Sequence, residues 1–147
     1  MFRPMRRFKQ LLSEEDTRSI LERGTSGVLA VLGDEGYPYA VPLSYAYLDG
    51  KLYFHCAKAG HKLDALRSCP KASFCVTDQD QVVAEEYTTY FRSAIAFGQV
   101  RILDDPEEML PLLHRLAQKY APEDSEANRT KAIHRELTQT AMLELTV

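Results

Sequence analysis

The apolar positions follow a helical period near the two ends of the chain and a strand period through its middle. Near the start, Ser13 precedes Glu14, Glu15 and Asp16, and Ile20 and Leu21 form an apolar stripe that stops before Gly24. A hydroxyl N-cap with acids in the first turn predicts a short helix over about 13–23. From Ser26, short runs of Val, Leu, Tyr and Phe are separated by Gly33-Asp34-Glu35-Gly36, Asp49-Gly50 and Asp78-Gln79-Asp80. This rhythm predicts strands near 26–32, 37–47, 51–57, 71–77 and 88–103, a tight hairpin at Leu48-Asp49-Gly50 and a short helix at about 60–68. Asp104-Asp105-Pro106-Glu107-Glu108 opens a later helix, which Met109, Leu112, Leu113, Leu116 and Tyr120 continue. Pro111 removes a backbone donor inside it and predicts a kink or a late start. Ala121-Pro122 ends that helix, a polar and helix-compatible stretch runs to about Leu137, and Ala141, Leu143, Leu145 and Val147 alternate as a closing strand. Five or six mostly antiparallel strands with short helices at the ends and corners make a small β-barrel of the α+β, mainly β, class.

Length and charge narrow the picture. The 147 residues hold one domain, 1–147, with a basic N-terminal arm over 1–10 and a helical C-terminal portion over about 105–137 before the closing strand. Hydrophobic residues at 45% and charged residues at 27% exclude disordered and collagen-like classes. The longest aliphatic run, Val28 to Leu32, is too short for a spanning helix, and no membrane partner is expected. No apolar stretch with a cleavage site follows Arg3, Arg6, Arg7 and Lys9, so the expected location is cytoplasmic. A formal charge of −3 argues against nucleic acid as a partner. Cys56, Cys69 and Cys75 form no CxxC pair and read as thiols in a reducing cell.

The second strand carries the first candidate site. Tyr37, Tyr39, Val41, Leu43, Tyr45 and Tyr47 alternate with Pro38, Ala40, Pro42, Ser44 and Ala46, so one face is bulky and the other nearly bare. Pro42 cannot donate to a ladder. Such a face either receives a flat cofactor or packs beneath a helix. The second candidate is His55-Cys56-Ala57-Lys58-Ala59-Gly60-His61-Lys62-Leu63-Asp64, where a strand ends, Gly60 permits a sharp turn and Lys62 falls in the first turn of a helix. Helix N-termini attract anions, and a lysine there is otherwise unfavourable. The segment reads as a phosphate cradle or as a solvated turn. His55 and Cys56 project to opposite faces of their strand and no second ligand pair accompanies them, so no metal site is expected. His114 and His134 read as surface residues of helices, and GxSxG, HExxH and GxGxxG are absent. On the long strand, Arg92 and Ser93 face opposite sides, with Ser93 the candidate phosphate ligand.

Gly36-Tyr37-Pro38-Tyr39-Ala40-Val41-Pro42-Leu43-Ser44-Tyr45, Tyr53-Phe54-His55-Cys56-Ala57-Lys58 with Gly60-His61-Lys62-Leu63-Asp64, and Tyr90-Phe91-Arg92-Ser93 with Gly98 resemble the flavin-binding pyridoxamine 5′-phosphate oxidase-like proteins. The likeness spans about residues 5–105 and is greatest to the group of the 5-nitroimidazole resistance reductases. It implies a split β-barrel that dimerises with two FMN molecules at the interface. Carried over, the FMN-binding residues are Val41, Pro42, Leu43, Ser44, His55, Cys56, Ala57, Lys58, His61, Lys62 and Ser93, and residues near Glu86 to Tyr90 reach toward the partner's flavin. From about residue 106 no motif matches, and the basic segment that pyridoxamine phosphate oxidases proper use for substrate is missing. The resemblance therefore implies flavin without implying vitamin B6 as substrate. The expected function is reduction or oxidation of a small electron-poor molecule of the nitro-aromatic kind, fed by NAD(P)H. The alternative is a flavin- or haem-binding sensor or carrier with His55 or His61 as axial ligand. No side chain stands out as a catalytic acid or base, and His55 is placed to tune the site.

Overall fold

Ser13 caps the first helix, α1 (Glu14–Arg23), its hydroxyl accepting the Asp16 N–H at 3.0 Å, and Ile20 and Leu21 are buried beneath it. The computed structural model describes residues 1–147. After α1 come β1 (Ser26–Leu32), β2 (Pro38–Ser44), β3 (Ala46–Leu48), β4 (Lys51–Ala57), α2 (His61–Ser68), β5 (Lys71–Val83), β6 (Thr88–Leu103), α3 (Pro106–Tyr120), α4 (Glu126–Glu136) and β7 (Thr140–Thr146). Asp49 and Gly50 both take positive φ in the β3–β4 hairpin, the geometry a two-residue turn needs. No helix is long and apolar enough to cross a membrane.

The seven strands form one antiparallel sheet in the order β2-β1-β5-β6-β7-β4-β3. Its two outermost strands, β2 and β3, are consecutive in sequence and separated only by Tyr45, so the sheet must curl until its ends meet there. Inside the curl lie Leu29, Val31, Leu52, Phe54, Phe74, Val76, Val100, Leu143 and Leu145, with Ile20 and Leu21 of α1 and Leu63 and Leu66 of α2 in the same cluster. A smaller cluster of Tyr53, Leu103, Met109, Leu113 and Met142 forms where α3 lies on the outside of β4, β6 and β7.

Three expectations need correction. The strand expected over 37–47 is broken at Tyr45, where Tyr45 and Ala46 are both fully buried and strict alternation fails. Here the chain passes from one wall to the other, which raises the strand count to seven. Asp78-Gln79-Asp80 does not end β5: the register slips between Thr77 and Gln79, and the strand continues to Val83. Arg23 holds the Asp78 carboxylate with two bonds of 2.8 and 2.7 Å, giving the displaced residue a partner of its own. Helix α3 runs unbroken through Pro111, whose ring is exposed on the solvent side.

Tyr120, at the end of α3, closes the junction between the sheet's two ends. Its hydroxyl accepts the Tyr45 N–H at 2.9 Å and presents its proton to the carbonyls of Tyr45 and Thr25. Lys119 beside it donates to the Gly24 carbonyl and lies 4.6 Å from the centre of the Tyr45 ring, while the Tyr45 hydroxyl donates to the Leu21 carbonyl at 2.8 Å. One tyrosine thus supplies what a ladder cannot at this point. Replacing it with phenylalanine leaves backbone groups without partners, and Tyr120→Phe is expected to lose about 1–3 kcal/mol. At this chain length the loss corresponds to a Tm lower by about 3–10 °C in a thermal melt followed by circular dichroism.

Under α3, the buried Glu144 accepts from Tyr53 at 3.1 Å and from Arg101 at 3.3 Å, with Lys51 Nζ also 3.3 Å away. Burial pushes its carboxyl pKa up, and the bonds to Arg101, Lys51 and Tyr53 overcome that and hold it below its ordinary value of 4.5. A depressed carboxylate contributes stability that is complete above the unfolded pKa and lost as pH falls through the folded one. The urea midpoint is therefore expected to drop as pH is lowered below about 4.5, and to drop less steeply in Glu144→Gln.

Candidate functional site

Divergence of β2 from β4 creates the site. In the β3–β4 hairpin Ala46 pairs with Tyr53 and Tyr47 with Leu52, a register that would set Ser44 opposite His55 and Pro42 opposite Ala57 if it continued. It does not continue, because beyond Tyr45 β2 pairs with β1 instead, matching Ser44 to Ser26 and Pro42 to Val28. Residues 54–57 of β4 keep their ladder with β7 on one side and have no strand on the other, and β2 likewise pairs on one side only. Two strand edges with free backbone groups therefore form the lips of a split in the barrel wall. Edges of this kind present unpaired N–H and C=O groups to whatever offers matching donors and acceptors.

The side chains sort as the alternation predicts. Tyr39, Val41 and Leu43 pack inward against the core, while Pro38, Ala40, Pro42 and Ser44 are exposed, so no helix covers the bare face. On the opposite lip Cys56 turns inward, and His55, Ala57 and Lys58 are exposed.

At the end of that lip the chain turns at Gly60, whose φ of 142° is open only to glycine, and enters α2. Gly60 provides no side-chain cap, so the first amides of α2 point outward without an internal acceptor. Lys62 lies in this turn, and Asp64, the one acid there, is drawn to Arg67 at 3.3 Å. Burial raises the Cys56 thiol pKa, and the nearby Lys62 ammonium works against that shift. Free amides, a helix dipole and lysines at positions 58 and 62 make this turn electropositive.

His61, the first residue of α2, packs against β2. Its ring packs on Tyr39 with centroids 4.1 Å apart, and its Nε2 accepts the Asp34 N–H at 3.3 Å. These contacts pin the start of α2 to β2 and to the turn before it, bringing cradle and bare strand together.

Ser93 is exposed on the outer face of β6, opposite Thr77. From β2 it is three strand spacings away along the sheet, about 14 Å. Within one chain the sheet does not bring it to the split. Tyr90 donates to Glu86 across the β5–β6 hairpin, and Tyr87 at its tip is exposed with a φ of 50°. Sequence reasoning missed Tyr120, which reads as one more apolar helix position, although its place just before Ala121-Pro122 marks it as the last residue before the chain must turn.

No group of three or more His, Cys, Asp and Glu side chains is arranged to hold a metal ion. Beside β2 the outer face of the sheet carries a groove of about 1170 Å³ lined by Phe2, Ala30, Pro38, Ser73, Phe97 and Gln99, among others.

Solved structures share this architecture. A Bacteroides thetaiotaomicron protein ascribed to 5-nitroimidazole antibiotic resistance superposes with a TM-score of 0.76 at 19% identity, covering 93% of this chain and 81% of its own. The flavocytochrome Anf3 from Azotobacter vinelandii gives 0.77 at 19%, covering 98% and 68%. An FAD and heme binding protein from Mycobacterium smegmatis gives 0.75 at 24%, covering 92% and 66%. At these identities the likeness establishes the fold, a split β-barrel. No curated protein sequence matches the chain. The family described as Pyridoxamine 5′-phosphate oxidase matches over residues 13–147, nearly the whole chain, and the protein belongs to that family.

Proposed function

We propose that the protein is an FMN-binding flavoprotein, a reductase or oxidase of a small electron-poor substrate of the nitro-aromatic kind that takes electrons from a reduced nicotinamide. The observation that carries this reading is the split between two unpaired strand edges, Pro38–Ser44 and residues 54–57, which ends at the uncapped start of α2 beside Lys62. A flat ring fits between such edges, and a single helix N-terminus with two lysines suits one phosphate. FMN, with one phosphate, matches better than a dinucleotide. When bound, the flavin supplies the hydride and electron transfer. The chain's own part is to hold it: backbone of Val41–Ser44 and His55–Ala57 along the ring, Lys58, Lys62 and the α2 amides on the phosphate, and His61 fixing cradle to strand. The flavin named for two structural neighbours, an FAD and heme binding protein and a flavocytochrome, supports flavin binding without selecting FMN.

The working form in this reading is a homodimer. Val28, Leu32, Ile95 and Phe97 project from the outer face of β1 and β6 with 40–57% of their surface exposed. Only 27 of 147 residues are buried, so a single chain leaves much apolar surface in water. Packing two such faces also gives Ser93 a role, since it then faces the partner and not the split of its own chain. The three free thiols fit a reducing, cytoplasmic setting.

An absorption spectrum of purified protein, followed by anaerobic addition of NADH or NADPH, tests the reading. Flavin bands that bleach on addition are the expected result. A Soret band, or no chromophore after incubation with FMN, overturns it, and flavin bands that never bleach favour a carrier over an enzyme.

A further inference from the structure

The contact between the first turn of α2 and β2 is prepared from both sides. The imidazole of His61 meets Tyr39 of β2, with ring centroids 4.1 Å apart, and the turn 33–37, where its Nε2 accepts the Asp34 N–H at 3.3 Å. Two backbone bonds hold that turn: the Gly33 N–H donates to the Tyr37 carbonyl at 2.8 Å and the Tyr37 N–H to the Asp34 carbonyl at 3.0 Å. The amide that His61 receives is therefore fixed in place by its own turn. Gly33 has an ordinary φ of −88°, and what its missing side chain provides is space. A Cβ there would lie 3.0 Å from His61 Nε2 and 2.9 Å from the Tyr39 Cβ. An accepting Nε2 carries no proton, which puts the imidazole proton on Nδ1. The Asp34 carboxylate is 3.7 Å from the same nitrogen, outside hydrogen-bond reach.

Helix α2 follows from one lip of the split, β4, through Lys58, Ala59 and Gly60, and its first turn meets the other lip, β2, through His61. Leu63 and Leu66 seat the body of the helix in the core, so the helix does not need His61 in order to form. We propose that His61 is a positioning residue for FMN: it sets the span between the strand lips and the α2 amides, and that span decides how much more tightly FMN binds than riboflavin. This rests on the FMN reading above and assigns His61 no bond to the phosphate, because its Nε2 is taken by the Asp34 amide. Once the ring is seated, the ribityl chain holds the phosphate near the cradle at a high effective concentration. The gain falls steeply when the two subsites no longer match the length of that chain. Riboflavin uses the lips alone and is indifferent to the span.

Fluorescence titration of full-length variants with both flavins tests this. His61→Ala is expected to lose about tenfold or more in FMN affinity and nothing in riboflavin affinity, with circular dichroism unchanged. Two further substitutions separate position from direct contact. His61→Gln keeps an uncharged acceptor at the place of Nε2 and is expected to restore most of the lost affinity. His61→Arg offers donors and no acceptor, and is expected to stay well below wild type although it adds a positive charge. An arginine variant that matches or exceeds wild type overturns the proposal and makes the position a phosphate contact. A glutamine variant no better than alanine overturns the acceptor role, and a riboflavin loss as large as the FMN loss overturns the span. Wild-type FMN affinity in His61→Ala overturns this inference and leaves the FMN reading standing, whereas a wild-type chain that takes up neither flavin overturns both.

Discussion

Lys62→Ala is expected to weaken FMN binding about ten- to a hundredfold and to leave riboflavin binding unchanged. The side chain lies in the first turn of α2, where Gly60 gives no cap and the amides stand free. A charge-assisted bond to phosphate is worth about 1.5–3 kcal/mol, and each 1.4 kcal/mol is a factor of ten. Stability should move the other way. A cation at a helix N-terminus is disfavoured by a few tenths of a kcal/mol, so removing it leaves the apo-protein's unfolding midpoint unchanged or slightly raised. Cys56 gives a readout independent of flavin. Burial raises its pKa and Lys62 opposes the rise, so alkylation of Cys56 in the apo-protein is expected to slow in the variant. Fluorescence titration with FMN and riboflavin, beside a thermal melt, separates these effects. Equal losses for both ligands, or a lowered melt, would mean that Lys62 supports the fold and not the phosphate.

The parts of this arrangement that were legible in the sequence are those set by local chemistry. Ser13 with its following acids, Asp49-Gly50 and the end of β4 at Ala57 each announce a boundary through turn or cap preference, and the structure places them there. Alternation along 38–44 separated the bare face from the bulky one for the same reason. What the pattern could not show is where two strand edges fail to pair. The split exists because β2 chooses β1 over β4, a competition between segments distant in sequence, and local periodicity is identical under either outcome. Tyr120 escaped notice because its ring fits the apolar stripe of α3 while its hydroxyl works 75 residues away on Tyr45. Ser93 shows the reverse case. Its resemblance to a phosphate ligand was visible, but its distance from the split was not, and only the strand order reveals that it stands on another part of the sheet.

That distance makes cofactor and assembly a single question. If Ser93 and the outer face of β6 complete the site of a second copy, FMN binds the dimer and not the monomer, and each must strengthen the other. One ligand at about a hundred times its dissociation constant adds about 2.7 kcal/mol to the state that binds it. Two sites per dimer add about 5.4 kcal/mol, on the order of a 10⁴-fold fall in the dimer dissociation constant. Sedimentation equilibrium with and without FMN measures this shift directly. Ile95→Lys gives the complementary test. Ile95 is 57% exposed at the middle of the outer face, opposite Cys75, so a lysine there is tolerated by the isolated chain and places like charges together in the pair. The variant is expected to be a folded monomer that has lost FMN affinity even though Lys62, Gly60 and the lips of the split are untouched. A monomeric Ile95→Lys protein that binds FMN as tightly as wild type would locate the whole site within one chain, and Ser93 would then have no part in holding the phosphate of a partner's flavin.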